Sequence, residues 1–399
     1  MPHEHRISEI RIAPVETTFG RIVGRNSKSE NYGLNQREWL VHVSTDSGLT
    51  GVTNARPSMN RAPLSALYES LKLLIGRDVF EFYRLSNGRV TGVNPRWQEY
   101  LRLHGFVDFA LFDLMGKALG VPAHRLLGDR VRDRIDAYDS SLYFQDLVHP
   151  ELGAGAVAQE AKEAVERGWR AVKLKLGRPG KWFEPNAGTS RDIDVVNAVR
   201  EAVGPEVRIL VDANNGYDGR LPLLERFVRE TAQANVFWME EMITENVEGY
   251  RQLRDWRDRY SPGAMLVDGE SDEGRNTIYW QLMEEGLLDA IQPDMLHLGF
   301  WPYHILARDI EDSGYATKIA PHNFNAAAIG LRGVIQFGAV TERFVIAEDS
   351  TLKFDLYRED GYEFTNGAYS VPDAPGLAID IDMDLYRRRH SRDETVIRN

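Results

Sequence analysis

Charged or proton-exchanging residues recur at near-constant intervals through the second half of this chain, and that spacing restricts the fold more than any other feature. The stretch Ala171-Val-Lys-Leu-Lys-Leu-Gly177 alternates Val172, Leu174 and Leu176 with Lys173 and Lys175, the period-2 pattern of a strand. Both lysines therefore share a face, roughly 7 Å apart from the rise per residue. Beyond Lys175, apolar runs end at Asp212, Glu240, Glu270, Asp294, His322 and Glu348, with gaps of 37, 28, 30, 24, 28 and 26 residues. Each gap holds one strand and one helix.

Eight strands are expected, at 135–141, 171–177, 207–212, 236–240, 265–270, 288–294, 316–322 and 344–348, with amphipathic helices between them. No Gly-x-Gly-x-x-Gly follows any strand, so a closed (β/α)₈ barrel is favoured over an open doubly wound sheet. The expected fold class is α/β, a TIM-type barrel over 135–355. An α+β capping domain over 1–134 would sit with it, and a polar, irregular segment at 356–399 would pack back on that cap. Within the cap, strands are expected at 7–15 and 39–45 and helices at 62–77 and 97–119. A polar loop, Gly20 to Gln36, separates the first two strands.

Composition removes several function classes. Net charge is 48 − 60 = −12, which argues against nucleic acid and against an anionic membrane surface as partners. There are no cysteines, so disulfides, zinc–thiolate sites and thiol nucleophiles are excluded. No apolar run approaches the roughly 18 residues of a membrane span, and the opening residues lack an apolar signal core, so a cytoplasmic protein is the default expectation.

Residues at the C-terminal ends of barrel strands converge on one mouth. A lone acid at a strand end is commonly a helix cap, but an unbroken series in consecutive units is not explained that way. Asp212, Glu240 and Glu270 would place three carboxylates in one volume, where they repel and raise one another's pKa values. A hard divalent cation with oxygen ligands, Mg²⁺, resolves that conflict. An EF-hand over Asp212-Ala-Asn-Asn-Gly-Tyr217 fails, because Tyr217 and Leu223 stand where the loop needs Gly and Glu. Lys175 is the candidate base, its ammonium disfavoured by Lys173 and the cation. Asp294 and His322, on successive strands, suit a carboxylate-oriented imidazole. Glu348 would face the site as a hydrogen-bond donor if protonated. His297 has no matched partner and reads as structural.

These residues carry a resemblance to the enolase superfamily, in its mandelate racemase subgroup, over nearly the whole chain. Val172-Lys-Leu-Lys175 resembles the Lys-x-Lys motif, Val211-Asp-Ala-Asn214 the third-strand metal motif and Trp238-Met-Glu-Glu241 the fourth. Gly269-Glu270, Pro293-Asp294, His322 and Ala347-Glu348 are similar to the later strand-end residues, and Ala110 to Gly120 to a stretch of the capping domain. Two positions depart: Met242 stands for the usual Pro after the Glu pair, and Phe300 for the usual second Gly near the sixth strand. The resemblance implies Mg²⁺ on Asp212, Glu240 and Glu270, proton abstraction next to a carboxylate, and a homo-oligomer.

On that chemistry Lys173 would face the carboxylate and the ene-diolate, with Lys175 and His322 as the two acid/base groups. Protonation of a β-hydroxyl by His322 would expel water and leave a 2-keto-3-deoxy acid; return of the proton to the α-carbon would racemise. Acid-sugar dehydration is favoured, with a small-molecule sugar acid as partner. The polar loop with Arg25, Lys28 and Tyr32, and Arg56 behind it, suits a polyhydroxylated substrate, and Asn214 could bind a substrate hydroxyl. The insertion Arg178 to Ser190, with Trp182 and Phe183, is expected either to overhang the mouth or to form a surface loop. A non-catalytic sugar-acid or metal-binding protein is the reading from another class; it predicts loss of an acid/base group, and none is lost.

Overall fold

The structure is a computed structural model, and it describes residues 4–30, 32–55, 64–270, 277–324 and 327–398. Eight parallel strands form the central sheet: Arg134–Leu142, Ala171–Lys175, Arg208–Asp212, Trp238–Glu240, Met265–Asp268, Ala290–Ile291, Lys318–Ile319 and Ala347–Asp349. The eighth strand pairs with the first through Ala347↔Ala137 and Asp349↔Asp139. Just before it, Phe344 bridges Ile319 of the seventh, and Val345 N donates to Ile319 O at 2.9 Å. The sheet thus returns on itself as a (β/α)₈ barrel.

Strand alternation divides the side chains between two cores. Val172, Leu174, Ile209, Val211, Met239, Leu266, Ile291, Ile319 and Ala347 belong to the large core under the helices. Tyr138, Ala171, Leu210, Trp238, Val267, Ala290, Ala320 and Ile346 form a second cluster that fills the barrel interior. One step of two residues beyond that layer lie Lys173, Asp212, Glu240, Gln292, His322 and Glu348. The polar site is therefore the next inward-facing layer, resting on a packed apolar floor.

Four elements differ from expectation. The first two capping strands are longer, Ile7–Val23 and Gly33–Thr45, with Thr18↔Asn35 and Val23↔Gly33 still paired. Cross-strand pairing overrides the polar composition, and the connecting loop shrinks to residues 24–32. The helix expected over 97–119 breaks at His104 and restarts as Gly105–Leu119. A Cβ on Gly105 would stand 1.9 Å from the His297 carbonyl oxygen, so only glycine admits this approach of cap to barrel. The helix expected between the second and third barrel strands begins at Pro185, inside the Arg178–Ser190 insertion, because Glu184 caps it by accepting from the Asn186 and Ala187 N–H groups.

The segment after the barrel is not irregular. Its Thr395–Arg398 strand pairs with Glu9–Ile12 at the edge of the capping sheet, whereas Ala368–Ser370 pairs with Arg134–Asp136 of the first barrel strand. Among the described residues no helix is long and apolar enough to cross a membrane.

Candidate active site

Register aligns the strand-end residues. Lys175 lies opposite Asp212, and Asp212 opposite Glu240, so three functional side chains form one row across three strands. Lys175 Nζ donates to Asp212 Oδ2. Lys173 Nζ sits 2.9 Å from Glu240 Oε1, 3.0 Å from Glu348 Oε1 and 3.6 Å from Asp212 Oδ2. Burial alone would lower both lysines, but the surrounding carboxylates outweigh it, and both are held above the ordinary ammonium value. In this arrangement the pairing with Asp212 outweighs the repulsion from Lys173. Asp212 is correspondingly driven down, its burial outweighed by Lys175 and Lys173, whereas burial and Asp212 push Glu240 up.

On the other side, His322 Nδ1 lies 2.5 Å from Asp294 Oδ1, and Asp294 and His322 are bridged through their backbones. The opposite ring nitrogen, Nε2, stands 3.2 Å from Glu270 Oε2 and 3.7 Å from Glu348 Oε2. Burial would favour neutral imidazole, but Glu348, Glu270 and Asp294 raise His322 to about 10, so it is an imidazolium here. Glu348 accepts the backbone N–H groups of Asn323 at 2.7 Å and Phe324 at 3.1 Å. With Lys173 and His322, these overcome burial and hold its carboxyl low. In this arrangement Glu348 faces the site as an acceptor.

Oxygens of Asp212, Glu240 and Glu270 lie within 4.8 Å of one another. Asp212 and Glu240 are fully buried, and Glu270 Oε2 is sealed from solvent with no aligned hydrogen bond among the described residues. An all-carboxylate set with a buried oxygen left over fits a hard divalent cation. A second acidic group, Glu241, Glu245 and Asp268, is equally tight, but it is supplied with donors. Tyr250 donates to Asp268, Tyr279 Oη lies 2.7 Å from Glu245, and Asn214 Nδ2 donates to Glu241 Oε2 at 2.7 Å.

Lys28 of the capping loop pairs directly with this outer group. Lys28 Nζ lies 3.3 Å from Glu241 Oε2, and Ser27 Oγ donates to the Ala213 and Asn214 carbonyls at 2.8 Å. Arg25 packs its guanidinium over Trp182 at 4.9 Å, and Tyr32 meets Tyr143 and Phe324 edge-on. Arg56 lies outside the described residues. Asn214 takes a left-handed φ of 42° and donates its N–H to Asp212, which seats it beside the carboxylate row.

Sequence reasoning left two contacts unassigned. Gln292 Nε2 donates to Glu240 Oε1 at 2.7 Å. Gln292 is neutral, so a search for charges passed over it; its parity with Ala290 and Asp294 was the available signal. Glu241 was visible as the second acid of Trp238-Met-Glu-Glu241, but nothing in the spacing linked it to Lys28.

The insertion after Lys175 is anchored more than it overhangs. Arg178 is fully buried, with Nε 3.0 Å from Asp146 and Nη1 2.7 Å from Asp192. Trp182 Nε1 donates to Asn26 O at 2.7 Å and so ties the insertion to the capping loop. Gly177 and Gly216 let the second and third strand-end loops touch: a Cβ on Gly216 would lie 2.3 Å from Gly177 Cα.

Residues 156–385 match the enolase C-terminal domain-like family. The chain belongs to this family of the enolase superfamily. It is 28% identical over 365 residues to a D-galactarolactone cycloisomerase of Agrobacterium fabrum, covering 86% of this chain and 89% of that one. A mandelate racemase/muconate lactonizing protein from Geobacillus sp. Y412MC10, solved with magnesium and tartrate, superposes with a TM-score of 0.85. It is 25% identical, with 99% of this chain and 98% of that one covered. A galacturonate dehydratase from Geobacillus sp., solved with D-galacturonate and 5-keto-4-deoxy-D-galacturonate, gives 0.83 at 25% identity over the full length of both chains.

Proposed function

We propose that this enolase-superfamily chain is a Mg²⁺-dependent dehydratase of an acid sugar, an aldonate or aldarate. One observation carries the reading: a lysine and a histidine approach the same carboxylate trio from two sides, Lys175 at Asp212 and His322 at Glu270. Asp212, Glu240 and Glu270 would hold the ion. When bound, Mg²⁺ supplies a Lewis acid for the substrate carboxylate and competes with Lys175 for Asp212.

The chain's own groups divide the remaining work. Lys175, once freed of its proton, takes the hydrogen from the α-carbon. Lys173, buried among Glu240, Glu348 and Asp212, faces the negative charge that develops on the substrate carboxylate. His322, kept protonated by Asp294 and its other carboxylates, gives its proton to the β-hydroxyl, which leaves as water. The resulting enol rearranges to a 2-keto-3-deoxy acid. Asn214 and the loop carrying Arg25 and Tyr32 are assigned to substrate hydroxyls. The dehydratase names among similar proteins support elimination over racemisation.

The test is to incubate the Mg²⁺-loaded protein with a panel of aldonates and aldarates and trap 2-keto acids with semicarbazide. Keto acid is expected from at least one member, and Lys175→Ala and His322→Asn are each expected to abolish it. Deuterium wash-in at the α-carbon of a recovered hydroxy acid, with no keto acid from any member, would overturn dehydration in favour of racemisation.

A further inference from the structure

Tyr143 is the residue immediately after the first barrel strand. The register Leu142↔Leu174 puts it abreast of Lys175, at the mouth. Its side chain is 2% exposed, and no group among the described residues hydrogen-bonds to its hydroxyl. A buried phenol without a partner forfeits a hydrogen bond it had in water. Its ring is fixed on several sides. Lys175 Nζ lies 5.6 Å from the ring centroid, Phe324 packs at 5.5 Å and Tyr32 of the capping loop at 5.9 Å. Phe324 is itself anchored, because its N–H holds Glu348. Burial raises the phenol's pKa, and Lys175, Lys173 and Asp212 are among the charges around it, so the group keeps its proton and acts as a donor. Tyr32 satisfies its own hydroxyl on Ser29 Oγ at 3.1 Å, which leaves Tyr143 as the phenol in this cluster with an uncommitted O–H.

We propose that the Tyr143 hydroxyl is a substrate-binding group that donates to a hydroxyl oxygen of a polyhydroxylated carboxylic acid on the Lys175 side of its α-carbon. The proposal rests on the acid-sugar reading and deepens it, because an acid lacking hydroxyls beyond the α-carbon gains nothing from this donor. It also gives the aromatic cluster a role in fixing where that donor points.

The experiment compares Mg²⁺-loaded wild type with Tyr143→Phe by titration calorimetry. The probes are a panel of aldonates and aldarates of four to six carbons, and glycolate as the reference acid with a single α-hydroxyl. For the panel member that wild type binds most tightly, Tyr143→Phe is expected to weaken binding about tenfold, the equivalent of one buried hydrogen bond. Glycolate affinity and the response of the thermal midpoint to Mg²⁺ are expected to stay unchanged, and the midpoint itself is expected not to fall. Equal affinities in wild type and variant across the panel would overturn the assignment of Tyr143 alone. An equal loss for glycolate would overturn it too, as a general effect on Lys175 or on packing. If wild type binds no member of the panel, the acid-sugar reading fails and this inference falls with it.

Discussion

Replacing Arg178 with Met tests whether the turn after Lys175 is held by buried charge. Arg178, Asp146 and Asp192 all have fully buried side chains, and one guanidinium serves both carboxylates. Removing one partner of a buried pair costs about 3–5 kcal/mol, because the other charge is left uncompensated. Here some compensation survives. Asp146 keeps Arg191 at 3.3 Å, and Asp192 keeps Tyr217 Oη and the Gly177 N–H, each at 2.9 Å. The lower end, about 3 kcal/mol, is therefore expected, or roughly 6–12 °C in midpoint for a barrel-sized unit. The loss depends on pH in a defined direction. Burial already holds Asp192 above the usual carboxylate range despite Arg178, and the variant raises it further. A carboxyl whose folded pKa exceeds its unfolded one costs nothing below the unfolded value and costs progressively more as pH rises through the folded one. Scanning calorimetry should thus show a larger deficit at pH 8 than at pH 5, while Arg226→Gln, which breaks the half-exposed Arg226–Glu230 pair, should show none. A midpoint unchanged at pH 8, or a deficit that grows on acidification, would refute the argument.

Three further outcomes are expected. Mg²⁺ should raise the thermal midpoint of wild type, by the equivalent of about 2.7 kcal/mol at a hundredfold excess over Kd; Glu240→Gln should remove most of that response if the three-carboxylate assignment holds. Asp294→Asn should lower kcat by about 10²–10⁴, the usual range for a disabled acid/base group, and leave the Mg²⁺-induced midpoint shift intact; an unchanged kcat would dismiss the dyad. His42 is 6% exposed, and burial, with Lys117 and Arg11, depresses it to about 4. The unfolded chain gains this proton near pH 6.5 and the folded one only near 4, so stability falls across that window by about 3 kcal/mol. His42→Gln should flatten that acid limb in urea titrations, and an unaltered limb would show that other groups set it.

The barrel was legible because its strands obey two rules at once. Val172 and Leu174 alternate with Lys173 and Lys175, and the alternation that points Val211 at the helices points Asp212 at the mouth. The same parity placed Glu240 and Glu348 in the site with no knowledge of their neighbours. What the sequence hid depends on approach between distant segments. Lys28 meets Glu241 across 213 positions, and Tyr143 meets Phe324 through a cluster with no periodicity of its own. Charge pairing was hidden for a related reason. The direct contact of Lys175 to Asp212 and the two backbone N–H groups on Glu348 come from the fold, and neither can be read from spacing.

The strand at 395–398 has a consequence for how the molecule is made. It pairs with the strand that leads into the capping loop, and Arg11 meets Glu394 at 2.8 Å across 383 positions. During synthesis every barrel strand is available before that edge can be closed. At about 5–20 residues per second, the sheet that carries Lys28 and Tyr32 waits tens of seconds for its partner strand. All the barrel strands are therefore made while one edge of the capping sheet is still unpaired. Completing the enzyme is then a slow, non-local docking step, and shortening the chain by these few residues should impair the cap while sparing the barrel beneath it.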